Sequence, residues 1–511
     1  MEENKTKVTL DKISFLMGFI SMALFIIYGL LNQDKFGAFL NATLDKLCQH
    51  FGWLFLIVTV ICMIAVFILA LSKYGDIVIG GKDAKPEYSN WQWFSMSLCG
   101  CIGTGILFWA MGEPMFHYSQ PPIAAGVKAF TRESGIFAIS QTMWHWTIPQ
   151  YAIYSLCGVA VALSSFNLKN NLSFGDLYET VFPKNKKVVS IIHGICIFCL
   201  LGSTSSSMGA GLLQIASGLK ALIGLEPSKF VWFITSALII FAYTVSSVKG
   251  LRKGMARLSS ICTVIFISML VYIFLTGPTQ FILDIGTEAV GEVLQKPISK
   301  TIILPTMTND PWPKNFIIQY MASFFVVGPI LGMFLSRLGK GRTVRQFILV
   351  NIFAPSLFCI IWIAIFGGTA IYLEWSGTYP VWEMVSKSGL ESTIFNILEN
   401  FPLSKLIIGV FIIAVFISFT TMADPITSAL ATISVKGLNI EDEAPKKIKI
   451  IWGCFVGLIS FLLVASGGIT SIKGMFTLVG LPIMFLVIIF MISAFKQVNK
   501  LDKLKNNVIE K

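Results

Sequence analysis

The stretch CGCIGTGILFWAMGEP (99–114) decides how the rest of the chain is read. It sits in an apolar run long enough to cross a bilayer, yet glycines, a glutamate and a proline interrupt it. Such residues free backbone N–H and C=O groups that hydrocarbon cannot satisfy. They are tolerated at membrane depth only where protein buries them or a watery cavity lies alongside. A second run, FFVVGPILG (324–332), carries a similar Gly-Pro interruption. Either alone reads as a packing kink. Together they suggest corresponding helices of two inverted repeats, with a substrate site between them near the bilayer midplane.

Composition agrees. Of 511 residues, 55% are hydrophobic and only 13% charged, against roughly 25% charged in soluble domains. The mean hydropathy is +0.75. A crossing helix needs about 20 apolar residues, and runs of that kind lie near 13–31, 52–72, 91–111, 136–164, 188–219, 229–248, 257–276, 314–336, 347–372, 404–435, 450–467 and 475–494. The fold class is therefore an all-α polytopic membrane protein of twelve spans, numbered one to twelve below. The interrupted spans three and eight, five apart, suggest corresponding helices of two five-helix inverted repeats.

The net charge of +12 is a matter of topology rather than of a nucleic-acid partner. Lys and Arg gather in alternate loops, among them Lys184, Lys186 and Lys187, then Arg342 and Arg345, then Lys446, Lys447 and Lys449. The positive-inside rule makes those loops and both termini cytoplasmic. The polar N-terminal segment (1–12) leads into span one without a small-residue cleavage site, which argues against a cleaved signal peptide. Spans one and two (13–90, with loops) are peripheral, 277–313 is an outer loop, and 495–511 is a short basic tail. PVWEMVSKSGLESTIFNIL (380–398) spaces its apolar residues as an amphipathic helix on the outer surface. The ten cysteines show no CxxC and no Cys/His cluster. They read as free thiols packed in helices.

Span four contains MWHWTIPQYAIY (143–154), where Trp146, Tyr151 and Tyr154 can share much of one face if Pro149 distorts the turn. Ring faces attract a quaternary ammonium without hydrogen bonds; an aromatic core stripe is the plainer reading. His145 and His193 read as packing residues. Asp424, in FTTMADPITSALATIS (419–434), is either a gating carboxylate or a helix-end charge. Glu113 reads as a structural or gating residue at the outer mouth. Gly328 and Pro329 would let span eight bend, and the break from Cys101 to Gly105 would offer N–H groups to a substrate carboxylate. No catalytic, phosphate-binding or metal motif is present, so neither an enzyme nor a cofactor is indicated; four histidines give no recognisable catalytic spacing.

GTGILFWAMGEPMFHYSQPP (103–122), HWTIPQYAIYS (145–155) and GMFLSRLGKGRTVRQFI (332–348) resemble the betaine/choline/carnitine transporter family over nearly the whole chain after residue 13. The resemblance implies a secondary active transporter in the cell membrane, usually a homotrimer, with an aromatic box around a small zwitterion. The family's span-eight tryptophans are missing. Ser323, Phe324 and Val327 stand at those positions, leaving a box of Trp146, Tyr151, Tyr154 and Phe324, with Ser323 able to hydrogen-bond. The family's glycine motif becomes Cys101, Ile102, Gly103, Thr104 and Gly105. Sodium-dependent members resemble one another in offering hydroxyls from spans five and ten. Here Thr204 and Thr421 are kept, while Leu200 and Met422 stand where oxygens are expected. A hard cation gains little from either. Sodium-independent exchange of a betaine-like substrate is favoured over sodium- or proton-coupled symport. Transport of a non-quaternary amino acid or other compatible solute is the alternative.

Overall fold

The computed structural model describes residues 8–102, 105–170, 173–248, 252–438 and 445–509. Each expected run is helical. Among the described residues, nine helices are long and apolar enough to cross a membrane, and a bent pair makes a tenth crossing. Lys229–Val248 supplies span six with a shorter apolar stretch. Lys446–Ile509 holds spans eleven and twelve, divided where Gly467 and Gly468 leave helical geometry. Gly468 has φ 55° and ψ −129°, a conformation open in practice to glycine alone.

The breaks lie where chemistry frees the backbone. In span three, Asn90–Cys101 and Gly105–Ser119 are bent by 60°. Span four stops at His145 and restarts at Ile148, with Thr147 at φ −124° and ψ −123°. Pro149 occupies the first turn of the second half, where its missing N–H has no partner to lose. Span eight differs from the expectation. It begins with a π-helical turn at Lys314–Ile318 and continues as an unbroken helix, Gln319–Leu338, with Pro329 inside it. Its glycines serve close packing. A Cβ on Gly332 would come within 2.5 Å of the Cys157 Cβ, and one on Gly328 within 2.9 Å of an Ile153 methyl. Span eight thus lies tightly against the second half of span four.

The motif GKGRTVR fastens the end that carries the chain termini. Thr343 caps span nine, Val344–Trp375, in a reciprocal box with Gln346. Arg345 donates to the Ala70 carbonyl at 2.9 Å and to Asp76 at 2.7 Å. Arg342 donates to the Tyr88 carbonyl at 3.1 Å and lies 4.8 Å from the Trp93 ring centre. The loop after span two is thereby tied to the loop before span nine. At the same end, Thr9–Leu10 pairs antiparallel with Val435–Lys436. Asp11 accepts from the Ser190 hydroxyl at 2.7 Å, joining the N-terminal segment to span five.

The opposite end is more structured than a loop reading suggests. Segment 277–313 contains the helix Thr279–Gln295, whose Ile282, Ile285, Gly286 and Ala289 are buried against spans four and nine. The stretch 380–398 is two short helices, Val381–Ser388 and Thr393–Leu398, divided at Gly389 with φ 83°. Its apolar face turns into the protein rather than lying along a surface. Val381, Val385, Ile394 and Leu398 are buried, and Leu390 fills the space over Gly112, where a Cβ would meet it at 2.0 Å. Nine of the ten cysteines are buried free thiols; Cys454 is exposed.

Candidate functional site

A cavity of about 90 Å³ lies between the breaks, walled by spans three, four, five, eight, ten and twelve. Its aromatic wall is made by Trp109, Trp146, Tyr154, Tyr320 and Phe324. Tyr320 and Phe324 stack one turn apart with planes 6° from parallel. Trp146 stands edge-on to both, its ring centre 5.6 Å and 6.1 Å from theirs, and Trp109 stands edge-on to Tyr320 at 5.5 Å. Gly105 allows the Trp146 ring this position. A Cβ there would lie 2.8 Å from the indole edge.

Behind this wall one carboxylate holds the rings in place. Glu113, fully buried, accepts from Trp146 Nε1 at 2.7 Å and from the Tyr320 hydroxyl at 2.8 Å on Oε2. On Oε1 it meets His145 Nδ1 at 2.6 Å and His117 Nε2 at 3.2 Å. The tautomers follow from the partners on the far side of each ring. Trp312 Nε1 can only donate, and it does so to His117 Nδ1 at 3.0 Å. Gln141 Nε2 faces the Lys300 carbonyl and His145 Nε2, both at 2.9 Å, which fixes the amide orientation and makes that imidazole nitrogen an acceptor. Each histidine therefore turns an N–H toward Glu113. Four donors converge on one carboxylate, as a buried charge requires.

Glu113, His117 and His145 bring three ligand-type atoms within 4.8 Å of one another. A metal there would need lone pairs on the two nitrogens that carry protons. Moving those protons across the rings would point them at the Trp312 N–H and the Gln141 amide N–H. The network suits a carboxylate clamp and not a metal ligand set.

The rest of the lining is mostly apolar, with a few polar side chains set into it. Gln150, Gln319, Ser323 and Lys473 are among these, and the side-chain oxygens of Gln150 and Gln319 are buried without a hydrogen-bond partner. Ser323 donates to the Tyr320 carbonyl at 2.7 Å. Of the residues singled out in the sequence, Cys101, Gly105, Trp146, Tyr154, Ser323, Phe324 and Met422 meet at the cavity. Tyr151 does not. It is buried on the far side of its helix, with its hydroxyl 3.6 Å from Cys359 Sγ. Gly328 and Pro329 lie in the helix contact described above. Thr204 donates to the Leu200 carbonyl at 2.7 Å and Thr421 to the Ser418 carbonyl at 2.9 Å, each within its own helix. Gly103 and the side chain of Asp424 lie outside the described residues. Glu113 is neither at the mouth nor on the cavity surface; it stands behind the rings.

Tyr320, Trp109, Gln150, Gln319 and Lys473 were not recognisable as site residues from pattern alone. For Tyr320 and Phe324 the signal was their spacing of four on one helix face. For Lys473 it was a single cation within GGITSIKGMFTLVG (467–480), at a spacing that shares a face with Ile469, Ile472 and Phe476.

Comparison with known proteins agrees over the full length. A model of the BCCT family, the betaine/carnitine/choline transporters, matches residues 13–503. The ectoine/hydroxyectoine transporter of Virgibacillus pantothenticus is 28% identical over 500 residues, 97% of this chain and 98% of its own. A probable glycine betaine transporter of Desulfitobacterium hafniense is 28% identical over 459 residues, 89% of this chain and 90% of its own. The high-affinity choline transport protein of Escherichia coli is 25% identical over 501 residues, 96% and 73% respectively. Among solved structures, a Na+-coupled sialic acid symporter aligns over 89% of this chain and 87% of its own, at 16% identity and a TM-score of 0.44, a likeness that decides nothing about coupling. With twelve helical spans, a broken span three and a match from residue 13 to residue 503, the chain belongs to the betaine/carnitine/choline family of membrane transporters.

Proposed function

We propose that this protein carries a small, N-methylated zwitterion of the glycine betaine or carnitine kind across the cell membrane by alternating access, as an exchanger that needs no sodium. The observation that carries this reading is the ring wall of Trp146, Tyr154, Tyr320 and Phe324 around one cavity between broken helices. A quaternary ammonium has no N–H and is attracted instead by ring faces, about 0.5–2 kcal/mol for each well-placed ring. Glu113 supports the wall twice: it fixes two of the rings, and its charge lies on the side from which a cation would be drawn.

The coupling reading rests on donor chemistry. Thr204 and Thr421 keep hydroxyl oxygens, but Leu200 and Met422 add no hard oxygen beside them. The loop charges support a cytoplasmic position for both termini. The family resemblance supports a homotrimer and two repeats over spans three to seven and eight to twelve.

A second reading is favoured by the unpartnered oxygens of Gln150 and Gln319. They would accept N–H donors, which an amino acid or a cyclic amidine such as ectoine possesses and glycine betaine lacks. Competition against labelled glycine betaine uptake separates the two. Under the first reading carnitine competes and glycine does not, and Trp146→Leu raises the half-saturating concentration about 2- to 30-fold. Unaltered saturable uptake by Trp146→Leu would remove the cage from the account.

A further inference from the structure

Lys473 is the unexpected charge at this cavity. It belongs to span twelve, on the face that turns Ile469, Ile472 and Phe476 to the same space. Its ammonium lies 5.3 Å from the Trp109 ring centre and 5.0 Å from that of Phe316. It donates to the Asn315 carbonyl at 3.0 Å. Among the described residues no carboxylate lies within ion-pair distance of it. The nearest candidate, Glu113, has both oxygens engaged by His117, His145, Trp146 and Tyr320.

A lysine near a helix end commonly snorkels, laying its stem along apolar surface and its ammonium in bulk water. This one is part-buried between two ring faces at the edge of the cavity, with a single carbonyl partner for three N–H donors. An ammonium so placed is costly unless an anion completes its surroundings. The cavity's other polar side chains are amides and hydroxyls, none of them anionic. The missing partner is therefore something the cavity admits.

Building on the cavity as the transport site, we propose that Lys473 binds the substrate's carboxylate, so that the protein selects carboxylate-bearing solutes and rejects cations that share the same ammonium group. The zwitterion then lies with its cationic end against Trp146, Tyr320 and Phe324 and its anionic end toward Lys473. The carboxylate is held by a side chain and not chiefly by the backbone of the break in span three. Choline, which keeps the trimethylammonium and replaces the carboxylate with a hydroxymethyl group, places no anion beside Lys473 and adds a second cation to the cavity.

The test is equilibrium binding to the purified full-length protein in lipid nanodiscs, with two matched pairs: glycine betaine against choline, and proline against pyrrolidine. In the wild-type protein a carboxylate member binds at least tenfold tighter than its partner. Lys473→Met abolishes that preference, chiefly by weakening the carboxylate member tenfold or more, while Lys473→Arg keeps it. If Lys473→Met does not run as a monodisperse protein, Lys473→Gln takes its place. Preference in the proline pair alone leaves the lysine assignment standing and overturns the methylated-cation reading of the cage. Preference that persists in a folded neutral variant overturns the assignment. So does a wild-type protein in which neither carboxylate binds more tightly than its partner.

Discussion

Glu113 is the residue on which the geometry of the ring wall depends. Its four donors leave no acceptor facing it, so an amide in its place must turn an NH2 group toward hydrogen atoms. Glu113→Gln therefore loses the charge-assisted hydrogen bonds and sets donor against donor, a change that costs about 1–3 kcal/mol for each buried donor left unsatisfied. A lower melting temperature and a shift of tryptophan emission are expected, with glycine betaine binding weakened alongside. An unchanged melting curve would mean that the clamp does not hold the rings. Trp146 and Tyr154 were legible because aromatic residues at helical spacing are visible along one segment, and Phe324 through the family resemblance alone. Glu113's role was not, since its partners come from positions 117, 145, 146 and 320 and only folding brings them together. Tyr151 shows the converse: helical spacing places it near Trp146 in sequence, but the restart of the helix after Thr147 turns it toward span nine.

At the scale of elements, helix existence was legible and helix ends were not. Expecting span twelve to begin at 475 put Lys473 in a loop; the helix resumes after Gly468 and carries that lysine into the protein. Span eight kept its proline inside a continuous helix because close packing on span four, through Gly328 and Gly332, holds it straight. The short helix Pro297–Thr301 offers a test of how the outer segment is held. Lys300 donates to Ser140 at 2.7 Å and lies 3.5 Å from Glu292, with 3% of its side chain exposed. Burial pushes its pKa down to about 8, with the Glu292 carboxylate pulling the other way. A free lysine titrates near 10.4, so between about pH 8 and that value the unfolded chain holds more protons than the folded one, and stability rises with pH. Below about pH 8 the burial cost is felt in full. Thermal unfolding of wild type and Lys300→Met should show wild type gaining on the variant as pH is raised from 8 to 10. A constant difference would place the lysine in water, and one that moves the other way would mean that the Glu292 pairing outweighs burial.

For the whole molecule, composition and loop charge carried most of the fold. A chain with so few charged residues and so many apolar runs has few ways to satisfy its backbone other than as membrane helices. The break in span three was legible from its glycines. The break in span four was marked only by Pro149. The gathering of rings, amides and an ammonium around one cavity required the helices to be assembled. Coupling is the property most directly at stake, because Leu200 and Met422 offer no hard oxygen beside the hydroxyls of Thr204 and Thr421. The decisive measurement is uptake of labelled glycine betaine into vesicles holding the purified protein, loaded with unlabelled glycine betaine or with buffer alone, with and without external sodium. Exchange predicts uptake only into loaded vesicles and at the same rate in either salt. Concentrative uptake into empty vesicles, driven by a sodium gradient, would contradict it.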